Sequence, residues 1–531
     1  MSLSLKYRTS LCVIGLLVSV FYILCQFMES PVQPTTNTRK AATQNVPMTM
    51  THRGAEKGVS SDTAPFALYD AERFKDDAIL QKEIRVDSAY RIGASQYKRI
   101  RHVVQSRLRD VRVESLQKMS MEVVSEIYHR YMNTLQFFCP NKDMLGGVGS
   151  GRYVCTGFST NGKCLVYDIT DKEKNVFFKT DVEDLYKCEQ RQLKTSDIRT
   201  EMESLNLETP LTNMLTREGR IDVLLIRGDG AGDIANGLLQ RGVLRHVDQL
   251  SVDFHAVNNV TSVSNYINQI LLLKTLYGEG FRIYHFERDP KHVFSDNPWR
   301  TGGYTLNMMR ERRVDGPLGV PITVKNSTKK QLLNQLFSYL LTSEVLCKEI
   351  LRVGDIDDGG WDVCVDDKYR PSSPCLVYSF GIGLMDQRRS QLQWFHNLGL
   401  SGQNGTIKME GVEWSMMNLK SIRTMLGHNN RQIDILKMDI ERSEWQSLPN
   451  ILETGILKDV KQFYMEVHFL ANSWSVNIFA DYLELLRQIH NMGFRLFWSH
   501  PNQVPENVGK SEFNDRIVSA CYELYYVNIN K

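Results

Sequence analysis

The chain has 531 residues, with 64 Lys and Arg against 61 Asp and Glu for a formal net charge of +3, and 42% of it is hydrophobic. Acids and bases are interspersed, which removes the electrostatic case for a nucleic-acid partner; even the densest basic cluster, KRIRH at 98–102, reads as a solvated helix face. A chain this long exceeds what one hydrophobic core usually organises, so two globular modules are expected.

Residues 1–10 carry Lys6 and Arg8, and Leu11–Met28 follows as 18 uncharged, mostly apolar residues. At ~1.5 Å per residue such a helix just crosses a hydrocarbon core of ~30 Å. Residues 11–28 are therefore expected to be a transmembrane signal anchor, because Cys25–Ser30 offers no clear small-x-small cleavage site. The alternative is a cleaved signal peptide and a secreted protein. Basic residues on the short side place 1–10 in the cytosol and the body of the chain in the lumen of the Golgi or endoplasmic reticulum, as a single-pass type II membrane protein. Residues 29–66 are rich in Pro, Thr, Ser, Asn and Gln and read as a disordered stem. Residues 67–138 place Val103, Leu108, Val111, Leu116, Val123 and Ile127 at helical spacing, which predicts a helical segment packing on the first module.

Cys12 and Cys25 fall in the anchor, leaving eight cysteines for the lumen. An even number in an oxidising compartment suggests disulfides, and Cys155 with Cys164 and Cys364 with Cys375 are the expected, repeated pairs. Zinc is the rival, without a CxxC pair to support it. Asn259, Asn326 and Asn404 each open an N-x-S/T sequon, as expected of a glycoprotein.

From residue 139 onward the chain divides into 139–330 and 331–531. Ile221–Arg282 reappears as Ile433–Arg495, with Gly242, Leu244, Val247, Gln249 and His255 recurring as Gly455, Leu457, Val460, Gln462 and His468. Hydrophobicity alone would not repeat Gly, Gln and His at fixed offsets, so the pattern predicts one α/β module present twice. In the second, strands are expected at Cys375–Ile382, Leu392–Leu400, Ile433–Ile440, Gln462–Phe469, Phe494–Ser499 and Tyr522–Asn528. Helices are expected at Trp414–Gly427, Ser443–Thr454 and Ile478–Met492. Alternation of this kind predicts a parallel sheet covered on both faces, with ligands outside the strand carboxyl ends. The acids fall there: Asp439 and Glu441 close one strand, and Glu466 and His468 close the next. A carboxylate at such an end can hold a hydroxyl, an amine or a proton, or merely cap the next helix. His468 suits a general base or a hydrogen-bond partner, although His255 in the matching place makes a shared structural role an equal reading.

At these residues the chain resembles a family. CLVYSFGIG, IDILKMDIERSEWQSLPNILETGIL, QFYMEVH and CYELYYVN are similar to the methyltransferase-like lumenal family related to FkbM-type S-adenosylmethionine-dependent methyltransferases. The resemblance implies two Rossmann-like modules in tandem. It also implies S-adenosylmethionine at the loop of Ser379, Gly381, Gly383 and Asp386, with Asp439 beside it and Asp439, Glu441 and His468 as the catalytic set. The acceptor would be a lumenal glycan, protein or small molecule. The chain departs from the pattern in one place: only about eight residues, 384–391, join Gly383 to Leu392, too few for the crossover helix that parallel neighbours need. Either this module is impaired or a stretch of about thirty codons is missing. The first module departs further, with Asp168 and no glycine loop, and with Arg227 and Asp229 at the places of Asp439 and Glu441, so that Arg227 would oppose a cationic sulfonium.

The functions to weigh are a methyltransferase, a noncatalytic binding or scaffold protein on the same fold, and a glycosyltransferase using Asp366 and Asp367 as a metal-binding acid pair. The RGD at 227–229 reads as accident rather than an adhesion motif.

Overall fold

The structure, a computed structural model, describes residues 18–21, 102–104, 108–109 and 111–531. The last range has breaks at 157–163, 173–174, 204–218, 256–261, 295–296, 312–326, 357–358, 372–374, 382–392, 397, 410–411, 442, 470–475, 505–506 and 512–515. The expected stem, most of the expected anchor, the larger part of the helical segment and the sequons at Asn259 and Asn326 lie outside the described residues.

Within the helical segment, α1 (Met121–Met132) buries Val123, Val124, Ile127, Tyr128 and Tyr131, as the apolar spacing requires. The N-terminal sheet then comprises β1 (Leu165–Ile169), β2 (Glu189–Leu193), β3 (Ile221–Ile226), β4 (Val247–His255), β5 (Phe281–Arg288) and β6 (Gly303–Arg310), in the order β2-β1-β3-β4-β6-β5. Helices α2 (Ala231–Gln240) and α3 (Val263–Gly278) connect β3 to β4 and β4 to β5. After α4 (Lys329–Leu340), the C-terminal sheet runs through β7 (Val377–Phe380), β8 (Ile433–Met438), β9 (Val460–His468), β10 (Phe494–Pro501) and β11 (Cys521–Asn528). Its corresponding helices are α5 (Glu444–Glu453) and α6 (Val476–Asn491). The order β7-β8-β9-β11-β10 matches β1-β3-β4-β6-β5 strand for strand.

The residues that recur in the sequence do the same work in both halves. Gln249 accepts the Cys155 amide at 2.9 Å and donates to its carbonyl at 2.9 Å, as Gln462 does for Cys364 at 3.1 and 2.9 Å. Asp222 and Asp434 each take the amide that opens the neighbouring strand, Leu165 and Leu376, at 2.9 Å. Such side chains are buried only because the backbone groups they meet would otherwise go unsatisfied, at about 1–3 kcal/mol each. Gly242 and Gly455 stand at φ +73° and +68° before matching 3-10 turns, a left-handed conformation costly for other residues. Strand β3 is buried at all six positions, which is why IDVLLI is apolar everywhere but at Asp222, whose carboxylate answers the Leu165 amide.

Several expectations change. The sheets are mixed, not parallel: β6 and β11 lie antiparallel to their neighbours on both sides. The connections before them, 289–302 and 502–520, hold short strands and no described α-helix that could carry a parallel crossover, and each strand returns antiparallel. Trp414–Gly427 is not one helix; a strand, Val412–Met417, ends at Asn418, whose side chain caps a helix at Leu419–Met425. The disulfides pair Cys139 with Cys155, Cys164 with Cys188 and Cys347 with Cys364, and Cys375 is also disulfide-bonded. Cys155 ends a hairpin with Lys142–Leu145, while Cys164 opens β1 beside Cys188 at the mouth of parallel β2, so Cys155 and Cys164 face different partners. Val18–Phe21, inside the expected anchor, is a strand lying antiparallel between β7 and Gln393–His396. A strand there excludes a helix through those four residues, and no described helix is long and apolar enough to cross a membrane.

The two sheets meet along their β5 and β10 edges. Trp498 stacks on His285 and Phe286, with ring centroids 4.5 and 4.7 Å away, and buried Asp362 holds Arg288 at 2.8 Å and Arg352 at 3.5 Å. Arg516 reaches back to Asp143 at 2.8 Å. One core cluster accordingly includes Leu165 and Phe254 together with Tyr464, Trp498 and Tyr525.

Candidate functional site

Parallel strands β8 and β9 end side by side, and alternation along each sends Lys437, Asp439, Glu466 and His468 to the same rim. Lys437 Nζ lies 3.1 Å from Asp439 Oδ2 and 3.3 Å from the Gly381 carbonyl oxygen, with its ammonium 4.8 Å above the Trp361 ring. Asp439 also hydrogen-bonds Glu466, which accepts from the Cys521 thiol at 2.6 Å and from Asn502 Nδ2 at 3.3 Å. Burial, then the charge of Asp439 and its hydrogen bond, push the Glu466 carboxyl up to about 8. Burial and the same carboxylate drive the Cys521 thiol far above its ordinary range, so it is a hydrogen-bond donor and not a nucleophile.

Beyond β8 the chain turns sharply. Glu441 adopts φ +51°, a left-handed conformation that glutamate rarely takes, and this points its half-exposed side chain to within 3.7 Å of His468 Nε2. His468 Nδ1 meets Glu444 Oε1 at 3.3 Å, and the same oxygen accepts the Ile440 amide at 3.1 Å. Burial alone would lower the imidazole pKa, but the Glu444 hydrogen bond and the charges of Glu444, Glu466 and Glu441 outweigh it and hold it up at about 9. At neutral pH His468 is therefore an imidazolium. An imidazolium donates hydrogen bonds and does not take up a proton, which favours the hydrogen-bond role of the two expected of it.

That shift makes a pH prediction. A cation whose folded pKa lies near 9 against an ordinary 6.5 adds stability that is complete below pH 6.5 and lost as pH rises through about 9. The stability difference between wild type and His468→Gln, from urea unfolding, is expected to shrink by roughly 1–3 kcal/mol between pH 6 and pH 9.5. A difference that stays constant would place His468 outside this carboxylate cage.

Ser379 is buried on β7, and Gly381 lies just past that strand at φ +84°. A methyl group on Gly381 would coincide with the Asp439 carbonyl oxygen, so the glycine there admits the neighbouring strand's backbone, not a ligand as expected. Gly383 and Asp386 lie outside the described residues, as does the short connection at 384–391. Asp366, offered as a metal acid, instead accepts the amides of Lys348 and Glu349 at 2.9 Å each. Lys437, Glu444 and Cys521 were missed in the sequence. Lys437 shares the parity of Asp439 and was open to discovery; Cys521 becomes visible only through its register opposite His468.

The N-terminal sheet closes the same places with ion pairs. Arg227, in register with Asp439, binds Asp168 at 2.8 Å and the Ser150 carbonyl at 2.8 Å, so it is consumed internally and does not face a ligand. Asp253, in the place of Glu466, is held by both oxygens to Arg152 at 2.9 and 2.8 Å and also accepts the Gly228 amide.

Residues 383–513 match a family model described as a methyltransferase domain. Curated relatives named "Probable methyltransferase-like protein 24", from Homo sapiens and Rattus norvegicus, are each 24% identical, over 234 and 239 residues. Those matches cover 36% and 37% of this chain and 63% and 64% of the relatives, so the chain spans under two thirds of the length of the proteins it matches. No solved structure matches. The C-terminal sheet is thus similar to methyltransferase domains, with its acidic rim inside the matched residues.

Proposed function

We propose that the chain carries one Rossmann-like module twice, and that only the C-terminal copy binds S-adenosylmethionine and methylates an oxygen or nitrogen of a lumenal acceptor, whether glycan, protein or small molecule. The observation that carries this reading is the convergence of Asp439, Glu441 and Glu466 at two adjacent strand ends, where the N-terminal copy has closed ion pairs. The donor set fits the cofactor: carboxylate oxygens suit ribose hydroxyls, an ammonium group and a sulfonium charge. Asp439 would hold it, with Ser379 and the Gly381 bend beside it. When bound, S-adenosylmethionine supplies an electrophilic methyl group.

The chain's own residues divide the remaining work. Glu466, whose carboxyl is raised by burial and by Asp439, hydrogen-bonds Asp439 and holds it in place. Glu441, which reaches solvent, takes the proton of the acceptor, and the His468 imidazolium 3.7 Å away fixes its orientation. A location in the Golgi or endoplasmic reticulum is part of the same proposal, and the disulfides support an oxidising compartment.

Lys437 favours a second reading, a noncatalytic binding protein. Its ammonium already answers Asp439 and would repel a sulfonium brought to the same carboxylate. Isothermal titration of the full chain with S-adenosylmethionine separates the two. The enzyme reading expects binding that weakens about 10–100-fold in Asp439→Asn, the loss of one charge-assisted hydrogen bond. Absence of heat at millimolar ligand supports the second reading.

A further inference from the structure

We infer that the N-terminal sheet holds a divalent transition-metal ion of the zinc class at His255, Asp289 and His292. His255 ends β4, while Asp289 and His292 lie in the turn after β5, so residues more than thirty apart in sequence meet at the carboxyl edge of one sheet. Their ring nitrogens and carboxylate oxygen all fall within 4.8 Å of one another. His292 Nδ1 is 2.9 Å from Asp289 Oδ2, His255 Nδ1 is 3.1 Å from Asp229 Oδ1, and the two imidazoles stack with centroids 4.8 Å apart. Two imidazoles with carboxylates are the donor set of an open zinc site, borderline in softness and small in number.

The surroundings are shaped for that convergence. The turn is rigid: Asp289 donates its amide to Gly303 O at 2.9 Å, Gly302 donates to His292 O at 2.8 Å, and Thr301 Oγ1 donates to Asp289 O at 2.6 Å. A β-carbon on Gly303 would stand 2.8 Å from Asp289 Cβ, 3.2 Å from His292 Nδ1 and 3.4 Å from the His255 ring. The space the three ligands share thus exists because residue 303 has no side chain; Cys521 occupies the matching register position in the other sheet, opposite His468. The cluster opens on a cavity of about 820 Å³ lined by Asp229, His255 and His292 together with Phe254, Asn265 and Gln269. An ion there keeps an open coordination position toward that cavity, and the otherwise closed N-terminal copy gains a binding site of its own.

The test is titration of the full chain with Zn²⁺ in competition with a chromogenic chelator. One tight equivalent is expected, with affinity falling about 100-fold in His255→Gln or His292→Gln and unchanged in Cys521→Ser, which breaks the other His, Cys and carboxylate cluster at Glu466, His468 and Cys521. A readout on wild type alone guards against misfolded variants: Zn²⁺ should slow diethyl pyrocarbonate modification of both His255 and His292, read by peptide mass spectrometry. The proposal is overturned if wild type binds no Zn²⁺, if the double His variant keeps its affinity, if Cys521→Ser abolishes binding, or if the two histidines stay unprotected.

Discussion

Replacing Asp362 with Ala is expected to destabilise the folded protein by about 3–5 kcal/mol, the usual cost of removing one partner from a buried ion pair. Asp362 is 2% exposed, and the side chains of Arg288 and Arg352 that it holds are each 9% exposed. Deletion takes their shared carboxylate from two largely buried guanidiniums, one from each half of the molecule, leaving Arg288 with Asn133 and Arg352 with the Asp355 and Ile356 carbonyls. Attraction across this contact matters less than the desolvation already incurred by both arginines, so Asp362→Asn, which keeps the shape and loses the charge, should recover only part of the loss. Arg288 lies over the Phe286 ring at 5.0 Å, and Trp498 stacks on that same ring at 4.7 Å. Equilibrium urea unfolding followed by circular dichroism measures the change. A loss under about 1 kcal/mol would mean the pair behaves as an exposed one and the two sheets do not share a dry interface.

Gly381→Ala should cost about as much by another route. Its methyl group would coincide with the Asp439 carbonyl oxygen, and φ +84° adds the penalty of a left-handed side chain, about 1–2 kcal/mol. The overlap is with backbone, so relief requires β7 and β8 to part at their carboxyl ends, and overpacking of that kind adds about 1–3 kcal/mol or more. Because those ends carry Asp439, ligand binding should be lost along with stability. Gly405→Ala, where nothing lies within 4 Å and φ is not positive, is the matched control and should be neutral within about 0.5 kcal/mol. Equal midpoints for the two variants in urea would show that β7 and β8 do not approach as closely as the bend requires.

Much of this architecture was legible because the recurring residues are the ones backbone geometry makes irreplaceable. Gln249 and Gln462 satisfy a buried hairpin, and Gly242 and Gly455 sit in left-handed turns, so a search for repeated Gly and Gln finds structure directly. The strand-end acids came from period-two alternation, which fixes parity without knowledge of partners. What stayed hidden depends on non-local pairing. The antiparallel placement of β6 and β11 cannot be read from hydrophobicity, and with it went the position of Cys521 beside Glu466. Disulfide partners were missed for the same reason, since Cys188 reaches Cys164 only when β2 lies beside β1. The Glu444 partner of His468 stayed hidden because Glu444, on the helix after β8, is 24 residues away in sequence.

The central claim is that one nucleoside site exists, at the acidic rim of the C-terminal sheet, and that the N-terminal sheet has none. The calorimetric titration with S-adenosylmethionine tests it most directly when read for stoichiometry. The account predicts one molecule per chain in wild type, with the Asp439→Asn variant weakened. Two molecules per chain, or one bound with undiminished affinity in Asp439→Asn, would contradict it.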